Sequence, residues 1–143
     1  MKGDNIPGQD HIARYCKPTT IEDGQIQATA FMLREGEESL SVNWLEFLNC
    51  TGRESEIKEI RSIYSRKLNR VGANAKIAVL NVGEVREKVL KESHDRRNLE
   101  VFHNPEPEND DPSHSGIYNL KPDNELIAEL ILETVGEDYS ARI

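Results

Sequence analysis

The sequence predicts an α+β fold, with a small mixed or antiparallel sheet of about four or five strands backed by two or three helices. Two observations support this fold class. Two neighbouring stretches early in the chain alternate apolar and polar residues as the strands of a hairpin do, and stretches of helical periodicity follow between later apolar runs. In addition, no glycine-rich loop follows a predicted strand, so a Rossmann or P-loop fold is not expected.

The first half of the chain predicts a hairpin followed by a helix. Alternating apolar residues predict two paired strands, 25–34 and 39–44, joined by a charged turn. Thr51 and Glu54 have the spacing of a capping box. The apolar stripe that follows them repeats at helical spacing and predicts a helix that runs to about Arg70.

The second half predicts strands and helices in alternation. A short apolar run over 76–82 predicts a buried strand, and Asn81 is placed to cap the helix after it. A further strand is predicted near 99–102, before a long polar loop. The last helix is predicted to begin at Pro122 and to end at Gly136, because proline favours helix starts and glycine favours helix ends.

The 143 residues are predicted to form one domain between two loose ends. Residues 1–10 predict a flexible arm, residues 11–136 carry the elements of a single α+β domain, and residues 137–143 predict a frayed tail. The chain has no apolar run of the roughly 20 residues that a membrane helix needs, and no secretory leader is recognised. We therefore expect a cytoplasmic protein that does not bind membranes.

The net charge of −8 is spread unevenly along the chain. Residues 61–91 hold eight basic and two acidic side chains, whereas residues 92–143 hold four basic and thirteen acidic ones. Because phosphate backbones attract positive surfaces, the overall sign argues against broad nucleic-acid binding and makes no strong case for duplex DNA. The excess of basic residues in 61–91 still allows a local contact with an anion.

The loop from His103 to Gly116 concentrates titratable side chains in a stretch without helix or strand periodicity. It holds two of the four histidines, four carboxylates and three prolines. Three interpretations stay open: a divalent metal site, an acid–base pair in a cleft with Asn104 and Ser115 as hydrogen-bonding neighbours, and a solvated loop without a ligand. The spacing matches no short metal-binding signature, and no particular cofactor is indicated.

Part of this loop has the pattern of a helix start. Asp111 precedes Pro112 as an N-cap residue precedes proline at the first helical position. The backbone N–H groups of such a turn, with the hydroxyls of Ser113 and Ser115, would hold an anion such as phosphate. The helix dipole would keep His114 neutral and therefore suited to act as a base.

A second group of functional side chains lies at the start of the predicted domain. If the segment is a strand, His11 and Tyr15 share one face and Arg14 lies on the other; if it is helical, all three share one face. Arginine suits bidentate recognition of phosphate or carboxylate. The alternative is that Arg14 pairs with an acid and Tyr15 packs in the core. Arg14 and Lys17 also flank Cys16, whose thiol is either activated by these cations or buried and inert.

Two functions are consistent with these patterns. The first is binding of a phosphorylated ligand, such as a nucleotide or an RNA end, with histidine-based acid–base chemistry on it. The second is a non-catalytic acidic accessory protein that binds a basic protein partner through its charge. The candidate catalytic residues are His11, His103 and His114, and the candidate ligand-binding residues are Arg14, Tyr15, Asn104, Ser113 and Ser115.

Overall fold

The structure, a computed structural model, describes residues 3–142, in which eight strands and three α-helices are found. Short 3-10 turns connect several of these elements. The strands are β1 (His11–Cys16), β2 (Ile21–Glu22), β3 (Gln25–Ile26), β4 (Ser39–Trp44), β5 (Lys76–Asn81), β6 (Glu100–His103), β7 (His114–Tyr118) and β8 (Val135–Ser140). The helices are α1 (Arg53–Lys67), α2 (Val82–Glu92) and α3 (Glu125–Leu132).

Six of the strands form one antiparallel sheet in the order β6-β7-β4-β1-β5-β8, and β2 and β3 form a separate small sheet. This arrangement confirms the predicted α+β class. The main sheet is larger than the predicted four or five strands because β1 and β8, neither of which was counted among the predicted strands, both join it.

Both faces of the sheet are covered by helices, because the central strands direct apolar side chains to both sides. Along β1, Ile12 belongs to the core beneath α2 and α3, whereas Ala13 belongs to the core beneath α1. Leu80 and Val79 of β5 divide between the two cores in the same way. Strands buried on both faces lack the apolar–polar alternation of half-exposed strands, which explains the continuous apolar run in β5.

The sheet opens between β1 and β4. β1 pairs with β5 over its whole length but pairs with β4 only at Ile12–Trp44 and Ala13–Asn43. On its other side β4 remains paired with β7 from Ser39 to Asn43. Beyond Ala13 the two central strands therefore separate, and this gap positions the site described below.

The predicted hairpin between 25–34 and 39–44 is wrong. β3 pairs with β2 across Asp23 and Gly24, whose φ angles of 51° and 75° are those of a tight two-residue hairpin turn. The residues that follow form the 3-10 turn Ala28–Phe31. β4 pairs with β1 and β7 instead, so the alternation in the sequence identified β4 but not its partner.

The helices follow the predicted pattern with shifted ends. α1 begins just after Thr51 and ends short of Arg70. The Asn81 side chain caps α2 as predicted, accepting a hydrogen bond from the backbone N–H of Glu84 at 2.9 Å. α3 ends before Gly136, which lies in β8. Across residues 3–142 we find no helix with both the length and the apolar character needed to cross a membrane.

Both ends of the described chain pack against the sheet. Residues 3–6 run beside β6, where the Ile6 N–H donates to the Val101 carbonyl at 3.0 Å and the Ile6 side chain is buried. The frayed tail predicted over 137–143 is instead part of β8 as far as Ser140, because the chain after α3 returns to pair with β5.

Replacing Leu80 by Ala tests the double-sided core. Leu80 is 0 % exposed, so its loss should lower the free energy of unfolding by roughly 2–5 kcal/mol through lost burial and the cavity left behind. The matched control is Leu126→Ala, because Leu126 is 60 % exposed and its truncation should cost less than about 1 kcal/mol. Urea denaturation measures both variants, and equal losses would contradict the packing described.

Candidate functional site

A cavity of about 260 Å³ lies where β1 and β4 separate. Its walls come from both strands, from the last turns of α1, from the segment 28–37 and from the start of β7. This volume is close to the lower end of the roughly 300–1,000 Å³ typical of ligand pockets, so the cavity suits a small molecule. The lining residues are Arg14, Tyr15, Lys17, Thr20, Thr29, Ala30, Met32, Arg34, Glu37, Ser41, Asn43, Tyr64, Lys67, Leu68 and His114.

Arg14 bridges the gap between the two strands. Its Nε donates to the Ala30 carbonyl at 2.9 Å, and its Nη1 donates to the Ser41 carbonyl of β4 at 2.9 Å. Burial lowers the pKa of the guanidinium, although arginine keeps its proton in proteins. None of the ion pairs found within residues 3–142 involves Arg14. The cavity therefore contains a half-buried cation without a carboxylate partner.

Two further cations without ion-pair partners within residues 3–142 line the same cavity. Lys17 follows β1, and Arg34 begins the exposed turn that leads to β4. Like Arg14, neither takes part in an ion pair in the described part of the chain. Glu37, which also lines the cavity, is exposed and accepts a hydrogen bond from the Arg34 backbone N–H at 2.9 Å. These four side chains leave a net charge of about +2.

Lys67 of α1 anchors the acidic loop to the site. Its Nζ lies 2.6 Å from Glu106 Oε1 and 2.9 Å from Asp111 Oδ2. Partial burial acts to lower the pKa of the Lys67 ammonium, but the hydrogen bonds to the two carboxylates have the larger combined effect and raise this pKa. Partial burial likewise works against the Glu106 carboxylate, yet the hydrogen bond from Lys67 holds the pKa of Glu106 below its ordinary value of 4.5. Lys67 is thus paired within the protein, and with its two carboxylate partners it forms a cluster of net charge −1.

Asn43 connects this ion-pair cluster to β4 and α1. Its Nδ2 donates to Asp111 Oδ1 at 2.8 Å and to Ser113 Oγ at 2.9 Å, and its Oδ1 accepts from the Tyr64 hydroxyl at 3.3 Å. The Asp111 side chain is completely buried, so these bonds replace the water that its carboxylate gives up. Burial raises the pKa of Tyr64, which keeps the phenol protonated and able to donate.

His114 places an imidazole beside the same cavity, with its side chain only 5 % exposed. Its Nδ1 lies 2.7 Å from the Asn104 carbonyl oxygen, which can only accept, so Nδ1 carries the hydrogen. Its Nε2 is buried and has no hydrogen-bond partner within residues 3–142, although Glu106 Oε2 lies 3.5 Å away. In the neutral ring this Nε2 is an acceptor without a donor.

The structure does not gather the three candidate histidines in one site. His11 Nδ1 lies 2.7 Å from Glu46 Oε2, beyond the end of β4. His103 Nε2 lies 2.7 Å from the Pro112 carbonyl, and its ring packs against Trp44 and Phe47, with centroids 5.3 Å and 4.6 Å away. Neither His11 nor His103 is among the residues that line the cavity.

The helix start predicted at Asp111-Pro112 is wrong, because the residues after it enter β7. The Asp111 carboxylate is engaged by Asn43 and Lys67 and caps no helix. Ser113 and Ser115 are fully buried, and the Ser115 hydroxyl donates to the Ser113 carbonyl at 3.0 Å. The predicted anion-binding turn of backbone N–H groups is therefore replaced by strand pairing.

Of the other candidate ligand-binding residues, Arg14 and Tyr15 line the cavity, while Asn104 contributes its carbonyl to His114. The Tyr15 ring meets the Tyr64 ring edge-on at 5.2 Å. Tyr64 and Lys67 belong to the basic segment 61–91, for which the sequence left a local contact with an anion open, but neither was assigned to a site. Their spacing of three places them on one helix face, but nothing local showed which part of the fold that face meets.

Cys16 is completely buried and unsuited to act as a nucleophile. Burial raises the pKa of its thiol to about 11, an effect that the nearby Arg14 guanidinium opposes without overcoming. The interpretation of an activated thiol is therefore wrong. A metal-binding group of three or more His, Cys, Asp and Glu side chains is likewise not found within residues 3–142.

Comparisons of the chain with protein-family models, with curated proteins and with solved structures found no match.

Replacing Glu106 by Gln tests the ion-pair cluster through pH. A carboxyl whose pKa is lowered by folding stabilises the protein above its unfolded pKa, and this contribution is lost as pH falls through the folded pKa. Glu106→Gln should therefore lower the free energy of unfolding by about 1–3 kcal/mol at pH 7, and the difference from wild type should shrink below about pH 4.5. Urea denaturation at several pH values measures this.

The control for that experiment is Glu108→Gln, because Glu108 lies exposed in the same loop and forms none of the ion pairs found within residues 3–142. It should leave the pH dependence of stability close to that of wild type. A Glu106→Gln variant with the same pH dependence as wild type would contradict the pairing with Lys67.

Alkylation tests the burial of Cys16. In a Cys50→Ser variant, iodoacetamide should leave the folded protein unmodified at pH 8, because the remaining thiol is inaccessible and protonated. Addition of urea should bring modification to completion, as mass spectrometry would show. Rapid labelling of Cys16 in the folded protein, with stability unchanged, would overturn this assignment.

Proposed function

We propose that the protein binds a small phosphorylated molecule in the cavity between β1 and β4. The observation that carries this proposal is Arg14, a half-buried cation at the cavity wall that is bonded to two main-chain carbonyls and to no carboxylate. Charged groups removed from water are ordinarily paired, so a cation in this position calls for an anion from outside the chain.

The balance of charge favours phosphate over a single carboxylate. On the β1 side of the cavity, Arg14, Lys17 and Arg34 have no ion-pair partners in the described chain and face the one carboxylate of Glu37. Lys67, on the other wall, is held by Glu106 and Asp111, and these three groups carry a net charge of −1. A phosphate monoester carries a charge of about −1.5 to −2 at neutral pH, which matches the net charge of about +2. A carboxylate would leave about half of that charge unbalanced.

The size of the cavity limits the rest of the ligand. At about 260 Å³ it suits a phosphate with a small attached group better than a whole nucleotide. The apolar atoms of Met32 and Leu68 in its wall would contact the carbon skeleton of such a ligand. A ligand smaller than a nucleotide or an RNA end, the two ligands considered from the sequence, is enough to fill this space.

The acid–base role, which the sequence suggested for three histidines, is proposed for His114 alone. His114 lines the cavity, and the Asn104 carbonyl fixes its tautomer so that Nε2 is the proton acceptor of the neutral ring; that atom is buried, 3.5 Å from Glu106 Oε2. His11 and His103 are engaged by Glu46 and by the Pro112 carbonyl.

The alternative of an acidic docking surface has less support. Glu106 and Asp111 are paired with Lys67, and Asp110 lies 3.3 Å from the Arg66 guanidinium. Most carboxylates of the loop are therefore turned toward α1, which leaves little of its charge to attract a basic partner.

Titration of the full chain with inorganic phosphate, followed by ¹H–¹⁵N correlation spectra, tests the proposal. Saturable shifts should centre on the Arg14 Nε–H and the Asn43 side chain. The double variant Lys17→Ala/Arg34→Ala should weaken binding about tenfold or more, since it removes two of the three unpaired cations.

The matched control is Lys58→Ala/Arg96→Ala, which removes the same charge at exposed positions outside the cavity. It should change the affinity by no more than about twofold. Equal weakening in both double variants would mean diffuse attraction to the surface, and the absence of saturable shifts in the wild type would also refute the proposal.

A further inference from the structure

A groove of about 280 Å³, which we call the α3 groove, lies between α3 and the turn that follows α2. Three α3 residues, Leu126, Ile127 and Leu130, form its apolar wall. Its other lining residues are Glu92, Ser93, His94, Asp95, Lys121, Asn124, Glu129 and Glu133. Among the residues that the structure describes, none lines both this groove and the cavity between β1 and β4. The α3 groove is therefore a separate feature of the surface.

The apolar wall of the groove includes a leucine that contributes little to the core. Leu126 is 60 % exposed, whereas the next residue, Ile127, is 3 % exposed and belongs to the core beneath α2 and α3. Leu130 lies four positions after Leu126, on the same side of the helix, and is half-buried. A single exposed leucine is ordinary on a protein surface. Two leucines at helical spacing in the wall of a groove instead offer a contact for an apolar side chain.

The acidic residues of α3 are arranged at a cost to the helix. Glu125 and Glu129 lie four positions apart, Glu133 follows four positions later, and α3 holds no basic residue. Like charges at this spacing repel, although the helix dipole favours Glu125 in the first turn. Of the three, only Glu133 forms an ion pair within residues 3–142, with Lys88 at 3.1 Å. The stability of α3 itself therefore gives no reason for Glu129.

The surface around the groove is negatively charged even when the cations that pair with it are counted. Six carboxylates line the groove and the hollow that adjoins it, and three cations pair with some of them, which leaves a net charge of −3. Such a surface attracts a basic protein segment and repels nucleic acids and anionic lipids. The carboxylates are those of Glu92, Asp95, Asp123, Glu125, Glu129 and Glu133, and the cations are Lys88, Arg97 and Lys121.

We infer that the α3 groove docks a basic amphipathic segment of a protein partner. An apolar side chain of this segment contacts Leu126 and Leu130, and its lysines or arginines lie along Glu125 and Glu129. The inference goes beyond the proposed phosphate site and does not depend on it. It also differs from docking through the acidic loop before β7, because Glu125 and Glu129 are not occupied by cations of the described chain.

Fluorescence anisotropy of labelled peptides titrated with the full chain tests the inference. The probe is a fluorescein-labelled peptide of about fourteen leucine and lysine residues, spaced so that a helix has one apolar and one basic face. It should bind saturably, and its affinity should fall about threefold or more between about 50 mM and about 300 mM NaCl, because salt screens exposed charges. A scrambled peptide of the same composition, without an apolar face, should bind at least about fivefold more weakly.

Two leucine variants locate the apolar contact. Leu126→Ala should weaken binding of the amphipathic peptide about tenfold, because it removes apolar surface that the peptide covers. The matched control is Leu90→Ala, since Leu90 is 40 % exposed but is not among the residues that line the groove. It should change the affinity by no more than about twofold. Both side chains are exposed, so both variants should fold as the wild type does.

Two double variants locate the charged contact. Glu125→Gln/Glu129→Gln should weaken binding about fivefold, the effect expected for the loss of two exposed ion pairs. The control Glu59→Gln/Glu108→Gln removes the same charge at exposed positions that do not line the groove. It should leave the affinity within about twofold of the wild type.

Four results would overturn the inference. The first is the absence of saturable binding, and the second is equal affinity for the amphipathic and scrambled peptides. The third is equal affinity of the Leu126→Ala and Leu90→Ala variants, which would place the peptide elsewhere on the surface. The fourth is a wild-type dimer, seen by sedimentation, that Leu126→Ala dissociates, because the groove would then belong to a second copy of the chain.

Discussion

The Arg14 guanidinium is the contact on which the centre of this molecule depends. Main-chain pairing between β1 and β4 stops at Ala13, and the side chain of the next residue takes over the connection. By donating to Ser41 and Ala30, Arg14 joins two strands and the 3-10 turn that covers them. The same geometry places a cation at the wall of a cavity, so the contact that joins the strands there also supplies the charge on which the proposed anion binding depends.

A second network gives the opposite wall of the cavity its shape. Lys67 reaches the buried Asp111 carboxylate from 44 positions away, and Asn43 reaches it from 68. Contacts between such distant segments fix the loop before β7 against α1 and hold His114 in place at the cavity. Because the supporting bonds are made within the protein, a ligand would meet side chains that are already oriented, which lowers the entropic cost of binding.

Local sequence patterns predicted the helices and strands of this protein better than they predicted which of these elements pack together. Asn81 capped its helix as expected, and the apolar run before it formed β5. Asp111 followed by Pro112 also has the sequence pattern of a helix start. In the structure, however, the Asp111 carboxylate is buried and paired with Lys67, and the chain continues as strand β7. Arg14 was predicted as a ligand-binding residue from its side-chain chemistry alone. The gap between β1 and β4 that it faces arises from strand pairing, which no local pattern encodes.

The two edges of the main sheet are protected from aggregation in different ways. An unpaired strand edge offers free N–H and C=O groups to any other strand, and proteins usually block it. Beside β6, residues 3–6 occupy the edge with the chain's own backbone. At β8, Glu137 and Asp138 place charged side chains on the edge strand, each of them paired within the chain, with Arg53 and Lys76, and charged side chains discourage pairing with a second strand. A truncation that removes the first six residues would thus uncover the less charged edge and favour self-association more than a change at the C-terminal strand.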